Sequence, residues 1–233
     1  METASHGSAP PRPASWPMYR ALVGVGVACG LLIVSVYVLT LPVIARNEAE
    51  ALQRAVLQVL PGAVAKASFV FAADGSFHPA GGAATGAETV HAGYDAAGQL
   101  VGVAVEGQGM GYQDVIRILY GYAPQRQVIV GMQVLASKET PGLGDKIEKD
   151  AAFLANFQSL DVRLAADGEN LQHSIEAVKQ GTKTTPWQID GITGATISSK
   201  AIASILRQGS AQWVPRLHAR QADLVSSGGP NGE

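Results

Sequence analysis

The stretch Asp190–Ile202, "DGITGATISSKAI", sets an acid, two glycines and two threonines directly ahead of an apolar stripe. Ile197, Ala201, Ile202 and Ile205 recur at helical spacing, which predicts a helix over Ile197–Gln208 ended by Gly209. Thr196 then falls at the N-cap, where a hydroxyl accepts from a free backbone N–H. The first turn of a helix also presents unpaired amides and the positive end of the dipole, which together favour a phosphate. With Gly194 and Ala195 keeping the approach uncrowded, the Thr196 hydroxyl is placed to bind a phosphate or to be esterified to one. Spacing alone favours the plainer reading, an ordinary capped helix.

Upstream, Ala21–Ala45 is 25 residues without a charge, bounded by Arg20 and Arg46. About 20 residues at roughly 1.5 Å each cross a bilayer core, so this segment predicts a retained single-pass anchor rather than a cleaved leader. Lys and Arg flank it almost evenly, and the positive-inside rule leaves its orientation open. Gly26 and Gly30 form a small-xxx-small face inside the span. The next segment, capped by Asn47, reads as an amphipathic helix carrying Ala51, Leu52, Ala55, Val56, Val59 and Leu60, stopped by Pro61 and Gly62.

Beyond it, 72–88 is rich in Ala, Gly and Pro and predicts a flexible loop or irregular edge. "TVHAGYD" and "QLVGVAVEG" predict two strands of a hairpin turning at Ala96–Gly98, and Gln127–Ser137 a third strand. Helical patterns recur over Ile147–Leu160 and Glu169–Val178, and a loose tail follows Arg220. Interleaved strands and helices fit an α/β or α+β sandwich. The divisions are an N-terminal tail (1–20), an anchor (21–45), an amphipathic entry segment (46–71), a main domain (72–220) and a flexible tail (221–233).

A net charge of −2 with no basic cluster argues against nucleic acid as a partner. The one cysteine, Cys29, lies in the apolar span, so a cysteine-ligated iron–sulfur cluster or four-cysteine zinc site is excluded. Five scattered histidines give no metal-ligand spacing. Two further stretches stand out, "GQGMGYQD" (107–114) and "KETPGLGDKIEKD" (138–150). The glycine pair Gly109 and Gly111 is satisfied by a tight loop. In the second, Pro141 fixes one φ while Gly142 and Gly144 let the backbone lie flat against a planar ligand. Its alternating Lys and Asp/Glu residues, Glu139 among them, read as a solvated rim.

Asp190, Thr193, Gly194, Ala195 and Thr196 match the pattern D-x-x-(S/T)-G-A-T, which resembles the site where a flavin transferase attaches FMN to threonine. "ETPGLGDKIE" (139–148) and "VLPGA" (59–63) are similar to segments of the same family. That family is the FMN-binding domain shared by the G subunit of the Rnf electron-transport complex and the C subunit of the sodium-pumping NADH:quinone reductase. The resemblance, nearer to the Rnf form in Asp145 and Lys146, implies FMN joined to Thr196 by a phosphoester. It implies Asp190 in recognition or transfer, with Thr193, Gly194 and Ala195 beside the attachment point. Thr140, Gly142, Leu143 and Gly144 would lie near the flavin.

The same resemblance implies an electron-carrying role between ferredoxin and NAD, coupled to ion transport. The chain's partners would be the other subunits of a membrane complex and, during maturation, the transferase. The FMN-binding domain would face the periplasm, anchored in the inner membrane. The rivals are service in the sodium-pumping quinone reductase or another periplasmic reductase, and a cofactor-free anchored binding domain in which Thr196 is only a cap.

Overall fold

The computed structural model of the chain describes residues 16–80 and 88–226. The chain divides into two units after Glu48. A single helix, α1 (Trp16–Val59), begins in the first and ends in the second. In the first unit its apolar side chains are exposed on every side, Leu22, Leu31 and Leu39 among them. A helix apolar all round suits lipid, and among the described residues α1 is the one helix long and apolar enough to cross a membrane. The break expected at Asn47 does not form. Pro42 also lies inside α1, and the run from Glu48 to Arg54, made almost wholly of strong helix formers, carries the helix onward.

The second unit is built on a seven-stranded antiparallel sheet in the order β2-β1-β3-β4-β5-β6-β7. Its strands are β1 (Ala65–Phe71), β2 (Phe77–Pro79), β3 (Thr89–Tyr94), β4 (Leu100–Met110), β5 (Val115–Ala123), β6 (Val128–Ala136) and β7 (Leu160–Asp161). The expected β3–β4 hairpin is present: the Gly98 amide donates to Asp95 O, and Gly98 takes φ +74°. Of the expected loop at 72–88, Phe77–Pro79 is an edge strand, and 81–87 lies outside the described residues. The β5 strand has no counterpart among the sequence-based expectations.

Each face of the sheet takes one helix. On the first, Ala55, Val56 and Val59 of α1, with Leu60, bury against Ala104 and Leu119. Glycines make the contact possible. Gly93 and Gly102 are paired across β3 and β4, and Gly121 and Gly131 across β5 and β6. A Cβ on Gly121 would stand 2.1 Å from Val59 O, and one on Gly102 2.8 Å from Leu60 Cδ2. The four glycines form a trough that seats the end of α1 on bare backbone.

On the second face lies α4 (Thr196–Ala219), burying Ile202, Ile205, Leu206, Trp213 and Leu217. This helix starts at Thr196, one residue before the expected first turn, and runs through Gly209, which does not end it. A Cβ on Gly209 would stand 2.6 Å from Tyr120 Oη of β5, so that glycine serves close packing rather than termination. Gly107 and Gly109, alternate residues of β4, likewise make room for Ile205.

Between β6 and α4 the chain makes α2 (Lys146–Lys149), α3 (Ala151–Ala155) and a 3₁₀ turn (Asn156–Gln158) instead of one helix. Asp150 ends the first and caps the second, its carboxylate accepting from Phe153 N at 2.9 Å. The helix expected over 169–178 is absent. Asp167 accepts from the amides of Glu169 and Asn170 in a tight turn, and the chain goes on to β8 (Glu176–Val178), parallel to β9 (Gln188–Asp190). Of the loose tail expected over 221–233, Gln221–Ser226 forms α5 with Leu224 fully buried, and 227–233 lies outside the described residues. The Tyr94 hydroxyl donates to Leu224 O at 2.6 Å, and Phe77 N to the Asp223 carboxylate at 3.2 Å. One apolar residue and two long-range hydrogen bonds order a segment whose composition looks mobile.

Candidate functional site

A cleft of about 320 Å³ opens where three segments meet: the β4–β5 turn, the loop Glu139–Gly144, and the start of α4. It is lined by Tyr112, Glu139, Thr140, Leu143, Gly144 and the run Gly194–Ser198. Six of the nine residues singled out in the sequence therefore share one wall: Thr140, Leu143, Gly144, Gly194, Ala195 and Thr196.

Thr196 is the first residue of α4, not its cap. Ala195 holds the N-cap position and makes no side-chain cap. The first intrahelical bond runs from Ser199 N to Ala195 O at 2.9 Å. Among the described residues, the amides of Thr196, Ile197 and Ser198 donate to no protein acceptor, and the exposed Thr196 hydroxyl has no partner. The turn before the helix is fixed independently of it. Gly194 takes φ +86°, Ala195 N donates to Ile192 O, and the Ser199 hydroxyl accepts from Ile192 N while donating to Ala195 O. The cap expectation is thus corrected: local work falls on Ser199, and the Thr196 oxygen is left without any.

Asp190, Thr193 and Gly142 stand outside the cleft lining. The Asp190 carboxylate accepts from Gly181 N at 2.7 Å and Thr182 N at 3.3 Å, while its backbone N–H and C=O are both held by Asn156. Lys183 Nζ donates to the same Asn156 at 3.1 Å, and burial lowers its ammonium pKa. Thr193 N donates to Gln180 Oε1 at 3.0 Å. Together these bonds bind the 179–183 segment to the chain entering α4. Gly142, at φ +79°, donates its amide to Asp145 Oδ1 at 2.6 Å and shapes the turn that presents Leu143.

The charged run 138–150 is only partly the rim that its composition suggests. Lys138 pairs with Asp114 and Lys149 with Asp145, both at 2.7 Å, and these hydrogen bonds hold the two carboxyls below their usual range. Glu139 is different. It is 6% exposed and accepts from Tyr112 N at 2.9 Å, from Gln113 N at 3.0 Å and from the Ser198 hydroxyl. Gly111 and Gly144 crowd it, since a Cβ on either would stand 2.5 Å from a carboxylate oxygen. Glu139, Ser198 and Tyr112 are site residues that sequence reasoning misses. Each nevertheless lies inside a stretch that stands out in the sequence, 138–150, 190–202 and 107–114 respectively.

The floor and rim favour a flat apolar group beside an anion. Tyr112, Leu143 and Ile197 are large and apolar yet 64%, 52% and 53% exposed, all at the cleft. Three unused amides and a free hydroxyl lie beside them, the donor set that a phosphate accepts. The residues therefore fit a flavin mononucleotide.

Residues 111–210 match the family profile of the FMN-binding domain, a stretch that takes in all three cleft segments. The chain is similar to the G subunit of the ion-translocating oxidoreductase complex of Methanosarcina acetivorans, 36% identical over 114 residues, which are 49% of this chain and 52% of that protein. It is 35% identical over 108 residues, 46% of each chain, to the G subunit of the Na(+)-translocating ferredoxin:NAD(+) oxidoreductase complex of Acetobacterium woodii. The chain thus spans about half the length of the curated relatives it matches. Its fold resembles the crystal structure of the C subunit of Na(+)-translocating NADH-quinone reductase from Parabacteroides distasonis, with a TM-score of 0.59 and 20% identity over 74% of this chain and 94% of that one.

Proposed function

We propose that this chain is the membrane-anchored electron-carrying subunit of an Rnf-type ion-translocating oxidoreductase, with FMN joined through its phosphate to Thr196. The observation that carries the reading is the Thr196 hydroxyl, free of any capping role and set among unused amides at the mouth of the cleft. Attachment makes a bond from Thr196 Oγ1 to the phosphorus of an activated flavin nucleotide. The phosphoanhydride P–O bond breaks, the leaving phosphate carries away the bridging oxygen, and the hydroxyl proton passes to water. The phosphodiester keeps one negative charge, which the start of α4 stabilises.

When bound, FMN supplies one- or two-electron transfer, a capacity that a chain without cluster ligands otherwise lacks. The residues' own part is to hold and shield it. Tyr112, Leu143 and Ile197 offer the apolar surface, while Asp190 and Asn156 fix the loop before the attachment point. The domain would lie on the extracytoplasmic side of the membrane crossed by α1, passing electrons between neighbouring subunits on a path linking ferredoxin and NAD.

The test is in-gel flavin fluorescence after denaturation, on protein produced with a flavin transferase. Wild type and Thr193→Ala should fluoresce and Thr196→Ala should not. A dark wild type would leave the cofactor-free binding domain as the better account.

A further inference from the structure

We infer that Glu139 is the positioning residue of the cleft, and that its carboxylate also sets the electrostatics of whatever redox group the cleft holds. This rests on the flavin reading above. Three chain segments distant in sequence form the cleft, and Glu139 is bonded to each of them. It belongs to the loop itself, its Oε1 accepts from the two amides of the β4–β5 turn, and its Oε2 accepts from Ser198, two residues beyond Thr196.

All three bonds arrive as donors, which suits a carboxylate with lone pairs on both oxygens. The neighbouring glycines support the same reading. At Gly111 and Gly144 a Cβ would run into the carboxylate at 2.5 Å, so the surroundings are cut to admit this group. Charge kept 6% exposed in an apolar wall acts at a lower effective dielectric than in water. It opposes the arrival of electrons on a neighbouring ring and so lowers the reduction potential.

Two substitutions separate charge from geometry. In Glu139→Gln the carbonyl can keep both backbone amides, while the new NH2 donates to a reversed Ser198 hydroxyl, so the links persist and only the charge goes. In Ser198→Ala the charge stays but loses one donor, leaving it less compensated. The experiment is a potentiometric titration of covalently bound flavin in the full chain, purified in detergent after production with the transferase. Visible circular dichroism is recorded alongside.

Glu139→Gln should move the midpoint potential in the positive direction, and Ser198→Ala should move it in the negative direction. Opposite signs are an outcome that loosened packing does not produce. If Glu139→Gln yields no folded protein, the negative shift in Ser198→Ala decides alone. Both variants at the wild-type potential, or both displaced the same way, would overturn the inference while leaving the flavin reading intact. A wild type without flavin would overturn the reading beneath it.

Discussion

The Ser198 hydroxyl donates to the Glu139 carboxylate, joining residues 59 positions apart and closing the cleft behind Thr196. Both side chains are nearly out of contact with solvent. A buried carboxylate that loses a donor keeps its desolvation penalty, about 1–3 kcal/mol. Gly144→Ala presses on the same link from the other side, with a Cβ 2.8 Å from Glu139 Cβ. It should lower stability by about 1–3 kcal/mol through overpacking, read as an earlier denaturant midpoint at unchanged slope. Gly142→Ala meets no neighbour and should show only the backbone cost of φ +79°.

The glycine trough makes a second, sharper demand. At Gly121 the missing Cβ would stand 2.1 Å from the Val59 carbonyl oxygen, and backbone cannot move aside as a flexible side chain can. Gly121→Ala is expected to cost about 3 kcal/mol or more. Protection of the amides in Ala55–Val59 should fall in hydrogen exchange. Normal protection there would show that α1 is not seated on the sheet at this point.

Acid should weaken the fold through His91. It is 2% exposed, its Nδ1 shares a hydrogen with Ser68 Oγ at 2.9 Å, and its Nε2 has no partner. Burial, with a smaller push from Lys66, lowers its pKa to about 4. The unfolded chain takes up a proton near pH 6.5 that the folded chain refuses. Stability is therefore full above about pH 6.5 and falls towards pH 4 by up to about 3 kcal/mol. His91→Gln should flatten that slope between about pH 6.5 and 4, measured by chemical denaturation at several pH values.

Asp190 is expected to matter for shape more than for contact. Asp190→Ala removes the acceptor of the Gly181 and Thr182 amides and should cost about 1–2 kcal/mol. Flavin attachment should fall with it, because the loop entering α4 loses its brace. Asp190→Asn keeps a side-chain oxygen for the Gly181 amide and leaves the backbone bonds to Asn156 in place, so it should recover most of the attachment.

Much of this is legible in the sequence because it rests on local rules. Helical spacing from Ile197 to Ile205 locates α4, and Ala96–Gly98 locates a hairpin. The motif around Thr196 and the loop 140–144 fall on one cleft because both are turns, whose residue types report backbone demands directly. What is not legible depends on contacts between distant segments. Gly209 looks like a stop because nothing nearby in sequence shows Tyr120 beneath it. Glu139 looks like a rim charge because its three donors come from residues 112, 113 and 198. The 221–226 helix is ordered by Tyr94 and Phe77, far away along the chain.

On the reading proposed above, the Thr196 oxygen is kept for a covalent bond. Its substitution by Ala should then leave the fold within about 0.5 kcal/mol of wild type, since no cap is lost. The decisive measurement is the intact mass of wild type and Thr196→Ala, each purified from membranes that contain the transferase. One added flavin mononucleotidyl group is expected on the wild type, mapping to the peptide bearing Thr196, and none on the variant. An unmodified wild type, or equal modification of the two, would contradict that reading.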